Sequence, residues 1–142
     1  MFLAALLLLV ATDEPAWKIE ITTSGGFAGH GSGSLTVVAD GTVIVRPGCR
    51  LRLSADDLKK LNELIEKAKP REWKASYVVP TNPAGCCDMI GMTMTLTRGG
   101  ARWTSTWFDD HLPFPPDLDA IVSALWGPPT AIRSRYKAQC KP

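Results

Sequence analysis

The N-terminal third of the chain alternates apolar and polar residues in the way that half-buried strands do. Residues 17–24 (WKIEITTS) place apolar side chains at every second position, which predicts a strand with one buried face. Residues 34–40 and 42–46 are two β-branched runs around Asp40-Gly41, a dipeptide typical of tight hairpin turns. The pattern therefore predicts a first strand followed by a hairpin.

A second hairpin is predicted in the centre of the chain, from residues 90–98 and 101–108 around Gly99-Gly100. A two-residue turn sets a register in which apolar pairs share one face and hydroxyl pairs share the other, as a sheet with one solvated face requires. The predicted pairs are Leu96 with Trp103, Met92 with Trp107, Thr95 with Thr104, and Thr93 with Thr106.

Two segments have the period of helices. Residues 55–69 carry a leucine-rich stripe, begin after Ser54 in a pattern similar to a capping box, and end at Pro70. Residues 117–126 (DLDAIVSALW) predict a short second helix, and a short strand is expected near residues 75–79. The order predicts an α+β domain whose antiparallel sheet, two hairpins and an N-terminal strand, packs against one main amphipathic helix and a short C-terminal helix.

Composition narrows the class of protein. The 142 residues suit one domain, and a hydrophobic fraction of 45% is enough for a proper core. Lys and Arg number 16 against 14 Asp and Glu, so the formal net charge is +2. A nucleic-acid-binding domain would have an excess of basic residues, so we expect that this protein binds no nucleic acid. We also expect a monomer.

The first residues differ from the rest. Residues 2–11 (FLAALLLLVA) are apolar without interruption, too short for a membrane span and typical of the core of a secretory signal. We expect residues 1–16 to be a leader and the protein to be exported, with no membrane association after cleavage. A buried N-terminal strand or helix is the alternative. No Lys or Arg precedes the apolar run, and a start codon placed too late would explain this. The domain would then span residues 17–126, with a tail over residues 127–142.

Export makes disulfides the expected state of the four cysteines, Cys49, Cys86, Cys87 and Cys140. Three pairings are possible. Bonding the neighbours Cys86 and Cys87 strains the peptide between them, so we expect Cys49 and Cys140 each to be linked to that doublet. The sequence contains no C-x-x-C spacing of the kind that marks a reactive thiol pair, and it lacks the paired ligands of a zinc site.

No constellation in the sequence predicts catalysis. The glycine-rich stretch over residues 25–33 lacks a P-loop pattern, and a strand follows it where an anion site needs a helix. Asp109-Asp110-His111 offers a base or a metal ligand, but a solvated loop end is the better interpretation, and His30 with His111 would be only a pair. We therefore expect no catalytic residue, no metal and no cofactor.

Directly after the first predicted strand, the hexapeptide SGGFAG resembles that of the emfourin family. These are small bacterial inhibitors of thermolysin-type zinc metallopeptidases, encoded beside protealysin-like enzymes. The helix beginning at Asp57-Leu58, the hairpin over residues 93–107 and the segment PDLDAIVSAL follow in the same order, so the resemblance covers roughly residues 17–126. The sequence departs from the cytoplasmic family members in four places: the leader, the cysteines, residues 80–87 and the tail.

The resemblance implies an inhibitor that occupies the substrate cleft of a thermolysin-type metallopeptidase. Phe27 would fill a hydrophobic subsite, although the glycines are also explained if the backbone simply has to turn there. The alternative function is a non-catalytic exported envelope protein, either structural or ligand-binding. The residues expected to bind the partner protein are Ser24, Gly25, Gly26, Phe27, Ala28 and Gly29.

Overall fold

The computed structural model describes residues 15–26, 29, 31–80 and 89–141. Within them the chain forms an α+β domain, in which a six-stranded antiparallel sheet packs against two helices. The strands are β1 (Trp17–Gly25), β2 (Ser34–Val38), β3 (Thr42–Arg46), β4 (Cys49–Arg52), β5 (Ile90–Arg98) and β6 (Ala101–Phe108). Their order in the sheet is β4-β3-β2-β1-β5-β6. The helices are α1 (Ala55–Lys67), α2 (Pro116–Leu125) and α3 (Ile132–Lys137), with a short 3₁₀ turn at Pro70–Glu72.

Both predicted hairpins are present. β2 and β3 pair around the Asp40-Gly41 turn, and all four predicted pairs between β5 and β6 occur in the predicted register. β1 lies between the two hairpins and pairs with β2 on one side and β5 on the other. Alternation therefore decides which face of each strand is buried, and the hydroxyl pairs lie on the face opposite the helices.

The main helix begins where its capping sequence predicts. The Ser54 hydroxyl accepts a hydrogen bond from the Asp57 amide at 3.1 Å, which satisfies one of the free N–H groups of the first turn. α1 ends two residues before its predicted end, at Lys67. Its apolar stripe and that of α2 share one core with the sheet. Fully buried members of this core include Ile19, Ile21, Leu35, Val37, Leu61, Ile65, Leu96, Leu118, Ile121 and Leu125.

Four features differ from the sequence prediction. β4 adds a strand at one edge, and residues 75–79 form no strand but only isolated bridges at Ser76 and Val78. The predicted polar tail contains α3, because Ile132 and Tyr136 lie one helical turn apart and both are buried. Trp107 is buried as predicted, whereas Trp103 is only partly buried.

The predicted disulfide pairing is wrong. Cys49 is bonded to Cys140, with 5.8 Å between their Cα atoms, so neither is linked to the doublet. Cys86 and Cys87 lie outside the described residues. The bond joins the start of β4 to the segment that follows α3, and α3 contacts β3, the neighbour of β4. Packing of α3 on this side of the domain brings the two cysteines together, and nothing in the cysteine spacing signals that packing.

The disulfide is consistent with an oxidising compartment. Among the described residues, no helix has the length and apolarity needed to cross a membrane.

Candidate functional site

The glycine-rich segment predicted to bind a partner connects β1 to β2. We call residues 25–33 the glycine loop; Phe27, Ala28 and His30 lie outside the described residues. The loop lies at the end of the sheet where β5 begins, because Gly25 pairs with Ile90 in the register of β1 and β5. The two ends of the predicted hexapeptide, Ser24–Gly26 and Gly29, are therefore positioned by the central strands of the sheet.

Close backbone contacts require glycine at two positions of the loop. Gly25 has a φ of 76°, and a Cβ atom there would lie 2.8 Å from the carbonyl oxygen of Met89. Gly31 has a φ of 69°, and its Cβ would lie 2.5 Å from the Thr23 hydroxyl and 2.6 Å from the Thr23 carbonyl carbon. Real Cβ atoms do not approach this closely, so the fold itself explains these two glycines.

Backbone hydrogen bonds hold the loop against the sheet. The Gly26 amide donates to the Met89 carbonyl at 3.0 Å, and the Gly31 amide donates to the Gly25 carbonyl at 2.8 Å. A third bond runs from the Gly29 amide to the Gly26 carbonyl at 3.1 Å. The base of the loop is thus a turn held by backbone hydrogen bonds.

Side chains from two distant parts of the chain converge on Ser32. Its amide donates to the Thr23 hydroxyl at 2.8 Å, and that hydroxyl donates to the Gly33 carbonyl at 2.5 Å. Nη2 of Arg133 on α3 donates to the Ser32 carbonyl. The Arg133 guanidinium lies 4.0 Å from the centre of the Trp126 ring, and burial lowers the pKa of Arg133.

α3 is held by a charged network at the start of α1. Arg135 donates two hydrogen bonds to the Asp57 carboxylate, at 2.7 and 3.0 Å, and the Tyr136 hydroxyl donates a third at 2.7 Å. The bonds from Arg135 lower the pKa of Asp57 to about 2, against the opposing effect of burial. The Tyr136 hydroxyl also accepts from the Ser54 amide at 2.8 Å, so α3 and the N-terminus of α1 form one unit.

Asp109 and His111, the other candidates from the sequence, contact neighbouring residues of the domain. The Asp109 carboxylate accepts from the Ile90 amide at 3.2 Å, and the His111 ring stacks on Phe114 with 4.1 Å between ring centres. His30 lies outside the described residues, so its pairing with His111 stays untested. No group of three or more His, Cys, Asp or Glu side chains that could hold a metal ion occurs among the residues that the structure describes.

A hollow of about 250 Å³ lies beside the glycine loop, on the face of the sheet opposite the helices. Gly91 forms part of its floor, where a Cβ atom would lie 3.0 Å from the Ser24 hydroxyl and 3.4 Å from the Phe108 ring. The lining residues combine hydroxyl and aromatic groups: Ser24, Val78, Gly91, Met92, Thr93, Thr106, Trp107 and Phe108. The end of the hexapeptide thus borders a surface that can take up polar and apolar groups together.

Sequence reasoning missed the contribution of Trp126 and Arg133 to this site. The apolar residues at positions 132 and 136 are a signal for α3, but nothing in the sequence indicates that Arg133 contacts a loop 101 residues earlier. The described part of the loop consists of glycines and one serine, so these residues carry no ionisable side chain, and several of their peptide groups are bonded within the fold.

Comparison with family models, with curated proteins and with solved structures finds no match to this chain.

Proposed function

We propose that this protein is a reversible inhibitor of a thermolysin-type zinc metallopeptidase, and that the hexapeptide SGGFAG enters the substrate cleft of the enzyme. The observation that carries the proposal is this hexapeptide, which begins in the last two residues of β1, in the position that the emfourin resemblance implies. The order of the helix, the hairpin and the second helix behind it also agrees with that resemblance.

The geometry of the described loop residues supports a binding role. An inserted inhibitor loop must keep its shape when it enters a cleft, because ordering a flexible segment reduces the affinity. The base of the glycine loop is bonded to Met89 on one side and to Thr23 on the other. Its glycine-rich backbone leaves room for a close approach by the walls of a cleft.

Phe27 is the proposed anchor, and it lies outside the described residues. Thermolysin-type enzymes prefer bulky apolar residues beside the scissile bond, so a Phe side chain matches their specificity. Burial of one Phe is worth about 1.5–3 kcal/mol, so Phe27 contributes one part of the affinity and the loop backbone contributes the rest.

The experiment is a titration of the purified, oxidised protein against thermolysin and a protealysin-like enzyme. We expect slowed hydrolysis at micromolar inhibitor, no cleavage of the inhibitor, and inhibition at least tenfold weaker for Phe27→Ala. Trp103→Ala is the matched control, because it removes a partly buried aromatic side chain from β6 near the Gly99-Gly100 end of the sheet, away from the loop. If neither enzyme is slowed, the proposed function is wrong. If Phe27→Ala inhibits like the wild type, the loop does not insert in the proposed way.

A second candidate function is a ligand-binding module of the cell envelope, and the hollow beside Ser24 favours it. Hydroxyl and aromatic side chains together are the groups that hold polar, hydroxylated ligands. If a thermolysin-type peptidase gene lies next to the gene of this protein, that arrangement would favour inhibition over this alternative. Binding of an envelope glycan without any effect on a metallopeptidase would favour the alternative.

A further inference from the structure

α3 lies outside the part of the chain that resembles the emfourin family, yet it is built firmly into the domain. Ile132 and Tyr136 are buried in the core, Arg135 is paired with Asp57, and the disulfide from Cys140 follows directly. A helix of six residues has no stability of its own in water, so these contacts determine its position.

From this fixed position, α3 places one cation against the glycine loop. Nη2 of Arg133 donates to the Ser32 carbonyl, and the guanidinium carbon lies over the Trp126 ring. The ring restricts the orientation of the guanidinium, so its donor points in a defined direction. Nε of Arg133 is buried and has no hydrogen-bond partner within the described part of the chain. Such a buried donor is costly, which indicates that the remaining contacts of Arg133 compensate for it.

Ser32 is held through both of its peptide groups. Thr23 on β1 accepts from its amide, and Arg133 on α3 donates to its carbonyl. The neighbouring Gly31 bonds to Gly25, so the position of Ser32 is transmitted to the start of the hexapeptide. Without Arg133, the described contacts of Ser32 come only from β1, and residues 31–33 gain freedom to move.

We propose that Arg133 is a positioning residue of the glycine loop, and that α3 is thereby part of the protein-binding site. This inference rests on the proposed function for the nature of the partner, but the effect on the loop itself does not. It adds to the site a segment that the emfourin resemblance does not include. Arg133 does not have to contact the peptidase; it acts by fixing the carbonyl of Ser32.

The test compares three variants of the full, oxidised protein. Arg133→Met retains the length of the side chain but removes its donors and charge, Arg133→Lys restores the charge and a donor, and Lys137→Met removes one exposed charge from the same helix. Amide hydrogen exchange at Gly31 and Ser32 is measured relative to buried β1 amides, and inhibition of thermolysin and a protealysin-like enzyme is measured in parallel.

We expect Arg133→Met to increase exchange at Gly31 and Ser32 about tenfold relative to the β1 amides, and to weaken inhibition by a similar factor. Arg133→Lys should recover part of both effects, and Lys137→Met should change neither. Unchanged exchange in Arg133→Met would overturn the positioning role. Faster exchange with unchanged inhibition would overturn the link to binding. If the wild type inhibits neither enzyme, the proposed function fails, and faster exchange still supports the positioning role.

Discussion

Two connections at opposite ends of the same sheet are built in different ways. The Gly99-Gly100 turn joins β5 to β6 in two residues, with φ angles of 58° and 78° and nothing within 4 Å of an added Cβ atom at either glycine. The glycine loop joins β1 to β2 and contacts Met89, Thr23 and Arg133. The turn depends on its own two residues, whereas the loop depends on groups from three other segments: the Met89 carbonyl and the side chains of Thr23 and Arg133.

This difference shows that the two connections depend on different amounts of support from the rest of the domain. A two-residue turn needs only strands of matching twist on either side. A longer loop has more conformations to lose, so its shape requires specific bonds. Here those bonds come from β1, from the residue before β5, and from α3, which the Cys49–Cys140 bond keeps in place. Damage to α3 should therefore loosen the glycine loop and leave the Gly99-Gly100 turn intact.

The largest effect is expected from removal of the disulfide. The bond closes a loop of 91 residues, and its loss in Cys49→Ala/Cys140→Ala should reduce the free energy of unfolding by about 3–4 kcal/mol, because the unfolded chain gains entropy. Urea unfolding measures this change. Amide exchange in the native state should increase more at Gly31 and Ser32 than at Gly99 and Gly100. Equal increases at both ends of the sheet would contradict the difference between the two connections.

A glycine in each connection provides the next test. Gly31→Ala should cost about 2–3 kcal/mol, because it adds a backbone clash with Thr23 to the strain of a positive φ. Gly99→Ala has the strain without the clash and should cost about 1 kcal/mol. Thermal and urea unfolding of the two variants measures both values. Equal costs would show that the close approach of Gly31 to β1 does not constrain the loop.

The features that sequence reasoning predicted are those that neighbouring residues determine. The register between β5 and β6 follows from the Gly99-Gly100 turn and from alternation, and the start of α1 follows from the spacing of Ser54 and Asp57. The positive φ of the loop glycines also agrees with the interpretation that the backbone has to turn after β1. In each of these cases the deciding interaction spans a few residues.

The features that were missed depend on contacts between distant residues. The pairing of Cys49 with Cys140 follows from the packing of α3, and α3 itself is held by Asp57, which lies 78 residues before Arg135. The spacing of Asp57 from Ser54 predicts the start of a helix, but no pattern among neighbouring residues predicts the bonds of Asp57 to α3. The same holds for the contact between Arg133 and Ser32, which places α3 in the candidate site.

The support on the α3 side should also depend on pH. Asp57 has a pKa of about 2, below the ordinary value of 3.8, so its charged form is favoured by folding. The stabilisation is complete above about pH 4 and is lost as the pH falls from about 4 to 2. After allowance for solvent screening of the exposed Arg135, we expect it to be about 1–2 kcal/mol.

Urea unfolding between pH 6 and pH 2 tests this value. Asp57→Asn should lower the free energy of unfolding near pH 6, and its difference from the wild type should shrink towards pH 2, where about half of the wild-type carboxylate is protonated. Asp56→Asn is the control, because Asp56 is the exposed neighbour in the chain. A constant difference between Asp57→Asn and the wild type over the whole pH range would show that the charge of Asp57 does not stabilise α3.

The smallest effects are expected at two threonines, Thr23 and Thr104, whose hydroxyl groups form hydrogen bonds. The Thr23 hydroxyl bonds to Ser32 and Gly33 of the loop, so the isosteric change Thr23→Val removes two contacts and should cost about 1 kcal/mol. The Thr104 hydroxyl bonds to Thr95 across the β5–β6 hairpin at 3.0 Å, and Val is equally suited to a strand. Thr104→Val should therefore change stability by less than about 0.5 kcal/mol.

Amide hydrogen exchange shows which part of the structure responds in each of the two threonine variants. In Thr23→Val the Ser32 amide loses its acceptor, so its exchange should increase even though Arg133 still holds the Ser32 carbonyl. In Thr104→Val the turn at Gly99-Gly100 should retain its wild-type exchange, because that turn takes no bond from Thr104 in the described contacts. If Ser32 exchanges at the wild-type rate in Thr23→Val, Arg133 alone is sufficient to hold the loop, and the contribution of β1 is confined to the close contact at Gly31.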